Sequence, residues 1–195
     1  MISSVASPRS NPYQPAELLS GELTFSLTDF LQRQRLGDGV VAADFFGEQV
    51  AMKVMDAMYS QEQEDEMYAE MKAYLHMQPL QGHVIPYLRA AGFHTFRAFP
   101  LIATQLINSK TLGWPLELED EARQALLEGL LKIHDSGVLH GDIHPGNFLV
   151  REDSPKDIFW IDFGKSTIDA SIDRNDARAV EEQKLLRAFL GMQPT

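Results

Sequence analysis

The residues best suited to chemistry in this sequence are two aspartates and an asparagine near the carboxyl end. Asp142 and Asn147 belong to one polar run, residues 140–147, and Asp162 follows the apolar segment 158–161. Mg²⁺ prefers oxygen ligands and takes one or two carboxylates beside substrate phosphates, so this set suits a magnesium–phosphate site. One acid can hold metal while the other accepts or orients the proton of an attacking hydroxyl.

Short elements must bring these groups together. The clearest helical pattern covers residues 119–136, with one apolar face and Gly137 as its C-cap. Two apolar segments, 147–150 and 158–161, flank a polar turn and predict a small hairpin. A last helix is predicted over 176–190. The first acid would therefore follow a helix and the second would end a hairpin.

The preceding half of the chain alternates strand and helix patterns. Glycine turn signals predict an antiparallel meander of three strands, and an acidic start with a later apolar stripe predicts a helix. Two further strands are expected, separated by Gly92. The predicted strands are 30–36, 40–46, 49–55, 84–88 and 99–107, and the predicted helix is 60–77.

Lys53 is a basic residue within an apolar strand pattern of the amino-terminal half of the chain, so its position requires an explanation. It alternates with Ala51 and Met55 on one face of the third strand, between Met52 and Val54 on the other. A partly buried lysine on such a strand requires a partner.

In their order and spacing, these motifs resemble those of the protein-kinase-like superfamily. His140-x-Asp142-(x4)-Asn147 resembles its catalytic loop, and Asp162-Phe-Gly resembles its metal-binding motif. The resemblance implies an α+β, two-lobed fold in which Asn147 and Asp162 hold Mg²⁺ and Asp142 engages the acceptor hydroxyl. It also implies that His140 supports the loop.

The same resemblance extends to the nucleotide side. Val50-Ala-Met-Lys53 resembles the strand whose lysine contacts the α/β-phosphates of ATP. Glu70, on the first helix, is the implied partner of Lys53, with Glu66 one turn earlier as the alternative.

Two further segments complete the implied nucleotide site. Gly37-x-Gly39 resembles the glycine loop that covers phosphates, although Ala42 stands where its third glycine would fall. Gln105 and Ile107 would lie in the hinge, where adenine pairs with the backbone.

Several departures narrow the family. Gly141 replaces the arginine, and His144 the lysine, of typical protein kinases, and the role of His144 stays open. The loop is instead similar to that of aminoglycoside and choline phosphotransferases and of small fungal kinase-like proteins. The ending is similar to the small kinase of the KEOPS complex. No Ala-Pro-Glu follows Asp162, so a reduced carboxyl-terminal lobe is expected, which a protein partner could complete.

The sequence therefore predicts three regions: a disordered tail (1–20), an amino-terminal lobe with hinge (21–107) and a reduced carboxyl-terminal lobe (108–195). The predicted function is an ATP- and Mg²⁺-dependent phosphotransferase acting on a hydroxyl of an unidentified protein or small molecule. Two alternatives remain: a pseudokinase or nucleotide-binding partner module with little turnover, and an ATPase subunit whose partner supplies the missing half.

Composition excludes several other classes. The chain has 195 residues with 17 basic and 28 acidic side chains, a formal charge of −11, which argues against direct nucleic-acid binding through a broad basic surface. It has no cysteine, which excludes disulfide scaffolds, thiolate zinc sites and iron–sulfur clusters. No long apolar run and no secretory signal pattern are present, so a cytoplasmic protein without membrane contact is expected.

Overall fold

The computed structural model describes residues 24–25, 30–37, 39–54, 60–94, 99–110, 118–154 and 156–193. The predicted tail 1–20 and Met55 lie outside the described residues.

A six-stranded sheet forms the amino-terminal part of the protein. Its strands are β1 (Thr24–Phe25), β2 (Phe30–Gly37), β3 (Val40–Phe45), β4 (Glu48–Val54), β5 (Leu88–His94) and β6 (Phe99–Gln105). The sheet runs in the order β1-β5-β6-β4-β3-β2, with β1 parallel to β5 and all other neighbours antiparallel. The predicted meander is confirmed as β2, β3 and β4.

The predicted first helix is α1 (Gln61–His76). Ser60 caps its start in a reciprocal box: the Ser60 side chain accepts from the Gln63 backbone N–H, and the Gln63 side chain accepts from the Ser60 N–H. Glu62 and Glu64 in the first turn also suit the positive end of the helix dipole. A 3₁₀ turn, Gln78–Leu80, follows the helix.

The predicted strand at 84–88 was wrong. The chain enters β5 only at Leu88, and Gly92 lies inside that strand, opposite Leu101, instead of separating two strands. Val84 and Ile85 are buried in the core, which accounts for the apolar run at this position. The Val84 carbonyl accepts the Trp160 backbone N–H there at 2.8 Å. The short apolar run at 84–88 therefore reflects burial in the core and does not indicate a strand.

The carboxyl-terminal part surrounds a small hairpin with two helices. The elements are β7 (Ser109–Lys110), α2 (Asp120–Asp135), β8 (Val138–Leu139), a 3₁₀ turn (Pro145–Asn147), β9 (Phe148–Arg151), β10 (Ile158–Trp160), β11 (Thr167–Ile168) and α3 (Ala177–Phe189). The predicted helices and hairpin are confirmed, and β7 extends the hairpin as a third strand beside β9. The two-residue strands β7, β8 and β11 were not predicted, because such short strands leave no periodic pattern.

The largest core lies where α1, α2 and the hairpin meet, and it includes Ile102 from the sheet. Trp160, fully buried, also donates its ring N–H to the Leu126 carbonyl at 3.3 Å, which joins the hairpin to α2. The protein is therefore an α+β fold, with the sheet and α1 on one side and the hairpin with α2 and α3 on the other. Within the residues just given, no helix is long and apolar enough to cross a bilayer.

We expect Leu130→Ala to lower the free energy of unfolding by about 2–5 kcal/mol, because it leaves a cavity in the core beneath α2. Gln124→Ala, on the exposed face of the same helix, should change it by less than about 0.5 kcal/mol. Denaturant unfolding followed by circular dichroism measures the free energy of unfolding of both variants. Equal losses in the two would contradict the assignment of Leu130 to the core.

Candidate active site

A cleft of about 1020 Å³ lies between the sheet and the hairpin. Cross-strand partners place their side chains on the same face of a sheet, and the pairs Val40–Lys53, Ala42–Ala51 and Ala51–Thr104 all line this cleft. The opposite wall comes from the polar loop (residues 140–147) and the hairpin, and includes Asn147, Leu149, Ile161 and Asp162.

Lys53 joins the two walls of the cleft. Its Nζ lies 2.8 Å from Glu70 Oε2 on α1 and 3.0 Å from Asp162 Oδ1 after the hairpin. The Glu70 side chain is only 7% exposed, whereas Lys53 is 32% and Asp162 48% exposed. Glu66, the alternative partner, instead lies beside Gly164. Three groups far apart in the sequence thus form one charged cluster.

This cluster shifts the pKa of each member. Burial alone would lower the pKa of Lys53, but the charges of Glu70 and Asp162 outweigh it and raise that pKa above its ordinary value. Burial would raise the pKa of Asp162, yet the Lys53 charge holds it below the ordinary value. Complete burial raises the pKa of Glu70 despite the attraction of Lys53. Lys53 therefore stays positive and Asp162 negative near neutral pH.

The backbone at Asp162 adopts an unusual conformation, with φ of 61°. This left-handed geometry is uncommon for a residue other than glycine and persists where neighbouring contacts enforce it. Phe163, fully buried, supplies those contacts: its ring centroid lies 4.8 Å from that of His140 and 5.6 Å from that of Tyr74 on α1. The packing of Phe163 thus positions the carboxylate of Asp162 toward Lys53.

Asp142 lies beside the cleft, outside its lining. Asn147 Nδ2 donates to the Asp142 backbone oxygen at 2.9 Å, which links the two ends of the polar loop. The Asp142 carboxylate pairs with Lys165 Nζ at 3.2 Å and lies 3.7 Å from His144 Nε2. His144 Nδ1 accepts the Gly146 N–H at 3.0 Å, so the other ring nitrogen, Nε2, is the one that faces Asp142.

Gly141 allows a close approach between the polar loop and the chain after Asp162. Its φ is +81°, and a Cβ at this position would overlap the Lys165 carbonyl oxygen. Position 141 can therefore hold no side chain while residue 165 keeps its place.

Glu182 on α3 supports the polar loop from below. Its Oε2 accepts the His140 N–H at 3.1 Å and lies 2.8 Å from His134 Nε2, and its Oε1 accepts the Gly141 N–H at 2.7 Å. Burial alone would raise the pKa of Glu182, but these donors outweigh it and lower the pKa below its ordinary value of 4.5.

The remaining predicted site residues divide into two groups. Gln105 and Ile107 line the cleft at the end of β6, and the buried Gln105 Oε1 has no hydrogen-bond partner among the described residues. Gly37 ends β2 and pairs with Val40 of β3, and Gly39 lies in the turn between these two strands with φ of +72°. From this hairpin the described lining of the cleft includes Val40 and Ala42.

Sequence reasoning missed three residues of the site. Tyr74 lines the cleft and packs on Phe163, Glu182 bonds the polar loop, and Lys165 pairs with Asp142. Lys165 directly follows Asp162-Phe-Gly, so its position was a usable signal. Glu182 carried none, because a glutamate on a charged helix looks like a surface residue.

Comparisons with known proteins agree with this geometry. A family model described as "Phosphotransferase enzyme family" matches residues 30–170. Proteins named "Mitogen-activated protein kinase 13" are similar: the chain is 31% identical over 125 residues to that of Pan troglodytes and 33% identical over 129 residues to that of Homo sapiens. Each match covers 60% of this chain and 34% of the relative. The chain thus spans about a third of the length of these curated relatives.

Gly141→Ala should lower the free energy of unfolding by about 3 kcal/mol or more, because the backbone of residue 165 must move to admit a Cβ. Gly47→Ala is the matched control: Gly47 has φ +83° but open space around a Cβ, so only strain of about 1 kcal/mol is expected. Denaturant unfolding of both proteins tests this. Equal losses would show that the close approach to residue 165 does not constrain position 141.

Glu182→Gln should destabilise the protein by about 2 kcal/mol at pH 7, since a neutral amide replaces a charged acceptor. A carboxyl with a lowered folded pKa stabilises above its unfolded pKa, near 4.5, and this stabilisation is lost as the pH falls through the folded value. The difference in unfolding free energy between the two proteins should therefore narrow from pH 5 to pH 3. A constant difference would contradict the assignment.

Proposed function

The chain belongs to the phosphotransferase enzyme family, and from that membership we propose that it is an ATP- and Mg²⁺-dependent phosphotransferase that moves the γ-phosphoryl group to an acceptor hydroxyl. One observation carries the proposal: Lys53 lies within hydrogen-bonding distance of Glu70 and Asp162 in a cleft that Asn147 also lines. A permanent cation beside an ionised carboxylate and an amide is what a metal-bound triphosphate requires.

On this proposal Lys53 binds the α- and β-phosphates, and Glu70 holds the lysine in place. Glu70 is buried on α1, so it cannot turn to solvent, and it keeps the ammonium group at one point of the cleft. At the other end, the buried Gln105 Oε1 provides an acceptor for an N–H of the base, next to the backbone of Ile107. Aliphatic side chains of Val40 and Ala42 would cover the base and ribose.

The residues present fit Mg²⁺. Asn147 Nδ2 is engaged by the Asp142 carbonyl, so Oδ1 is the atom of this amide that can ligate metal, together with the Asp162 carboxylate. No group of three or more metal-type acidic or histidine side chains forms within the described part of the chain. A small oxygen set is what Mg²⁺ uses when phosphates and waters complete its shell. Bound there, the ion would offset the negative charge of the phosphates.

Asp142 would act on the acceptor. Its carboxylate can accept a hydrogen bond from the incoming hydroxyl, orient the oxygen toward the γ-phosphorus and take up the proton as the new bond forms. The Asn147–Asp142 hydrogen bond and the contacts from Glu182 would keep this group at a set distance from the metal residues. The acceptor is a hydroxyl of a small molecule or a protein.

A nucleotide-binding module with little turnover is the second candidate. The reduced glycine loop favours it: Ala42 stands where a third glycine would fall, and a smaller cover over the phosphates excludes less water from them. Binding without turnover in the wild-type protein would select this candidate.

The test measures Mg²⁺-dependent ATP binding by calorimetry and phosphate transfer from radiolabelled ATP to a panel of hydroxyl acceptors and water. Lys53→Ala should weaken ATP binding about tenfold or more, and Asp162→Ala should lower turnover about 100-fold or more. Lys184→Ala is the control, because Lys184 forms an exposed ion pair with Glu181 on α3. ATP binding and turnover unaffected by both site variants would refute the assignment.

A further inference from the structure

A second lysine, Lys165, pairs with Asp142 beside the cleft, and nothing in the proposed site yet uses it. Lys165 Nζ is 3.2 Å from Asp142 Oδ2, and the lysine side chain is 56% exposed. The hydrogen bond to Asp142 and the Asp142 charge raise the pKa of Lys165, and the charges of Glu66 and Asp162 add to this shift. Lys165 thus pairs with the acid of the polar loop and follows Asp162, the acid after the hairpin, by three residues in the sequence.

The backbone of Lys165 is fixed by contacts with its neighbours, although the side chain is largely exposed. Its carbonyl oxygen packs against Gly141, where no side chain fits. The Ser166 N–H donates to the Phe163 carbonyl at 3.0 Å, which closes a tight turn on the buried Phe163. The base of the lysine is therefore fixed against the polar loop while its ammonium end stays free to turn.

Lys53, His140 and His144 also lie near Asp142 or Asp162 in the described part of the chain, and none of them can take the same role. Lys53 is already engaged by Glu70 and Asp162 at the inner end of the cleft. His140 is buried, with its Nε2 3.1 Å from the Ile161 carbonyl oxygen, and His144 Nδ1 accepts the Gly146 N–H at 3.0 Å. Lys165 is therefore the permanent cation beside Asp142 in the described residues.

We propose that Lys165 contacts the terminal phosphoryl group of bound ATP, so that its ammonium group turns from the Asp142 carboxylate to a γ-phosphoryl oxygen. The inference rests on the proposed function and adds a phosphoryl-contact residue to it. In the proposed function Asp142 binds the acceptor hydroxyl, so a cation 3.2 Å from its carboxylate lies next to the group in transfer. Release from Lys165 also frees Asp142 for the hydroxyl.

The chemical step balances without any change at the lysine. The acceptor oxygen forms a bond to the γ-phosphorus, the bond from that phosphorus to the bridging oxygen breaks, and ADP leaves with the electron pair. The hydroxyl proton goes to Asp142. Lys165 stays protonated and offsets the charge on the equatorial oxygens of the phosphoryl group.

Nucleotide discrimination tests the contact by binding alone. ATP carries the γ-phosphoryl group and ADP lacks it, so Lys165→Ala should weaken Mg²⁺·ATP binding about five- to tenfold and change Mg²⁺·ADP binding by less than about twofold. Lys184→Ala is a matched control, since Lys184 is 59% exposed and also pairs with a carboxylate. It should leave both affinities unchanged.

The absence of cysteine from the chain allows a sharper version. Lys165→Cys introduces a single exposed thiol, which 2-bromoethylamine converts to a lysine-like ammonium and iodoacetamide converts to a neutral amide. Both adducts are made from one preparation of the folded Lys165→Cys protein, and their melting temperatures are compared to check that they are equally stable. The ammonium adduct should recover the ATP-to-ADP affinity ratio and the rate of phosphate transfer, and the amide adduct should recover neither.

Each outcome decides between the two proposals. A wild-type protein that binds neither nucleotide overturns the proposed function and this contact with it. A wild-type protein that prefers ATP, with the same preference in Lys165→Ala or in both adducts, overturns the contact alone. Loss of the preference in the alanine variant, with recovery in the ammonium adduct only, supports the contact.

Discussion

The structure depends on one buried carboxylate. Glu70 lies on the inner face of α1 and needs a cation, because a charge without a partner in such a place costs several kcal/mol. Lys53 supplies that cation from β4, and its ammonium group also reaches Asp162 after the hairpin. Sheet, helix and hairpin each contribute one member, so the charged cluster can form only when all three elements are packed together.

The apolar packing around this cluster serves the same geometry. Phe163 stands between Tyr74 on α1 and His140 in the polar loop, and its burial positions the strained backbone of Asp162. Gly164 lies close to Glu66, which is on α1, so the chain after the hairpin packs directly against this helix. Aromatic packing of Phe163 and the ion pair of Asp162 with Lys53 therefore constrain the same short segment.

A separate set of contacts holds the polar loop. Glu182 binds the backbone of His140 and Gly141 from α3, and Gly141 in turn admits the backbone of Lys165. Because backbone groups form these hydrogen bonds, the Asp142 side chain takes no part in them and its carboxylate pairs with Lys165. The small carboxyl-terminal part thus supports the candidate site chiefly through one helix and one hairpin.

The sequence by itself determined the α+β fold class, the meander, the three helices and the hairpin, because these elements are long enough to show periodicity, caps or turn residues. It also identified Lys53, Glu70, Asn147 and Asp162 as candidates from local motifs. It could not choose between Glu66 and Glu70, since both lie on α1 and only packing decides which is buried.

Tertiary structure alone decided the other features. Val84 and Ile85 resemble a strand but fill the core, and the pairing of two-residue strands such as β8 and β11 depends on distant neighbours. Glu182 and Lys165 acquired their roles through contacts across 41 and 23 residues of sequence. Local patterns report helix, strand and turn, whereas the burial of a charge and the meeting of two loops depend on the packing of the whole chain.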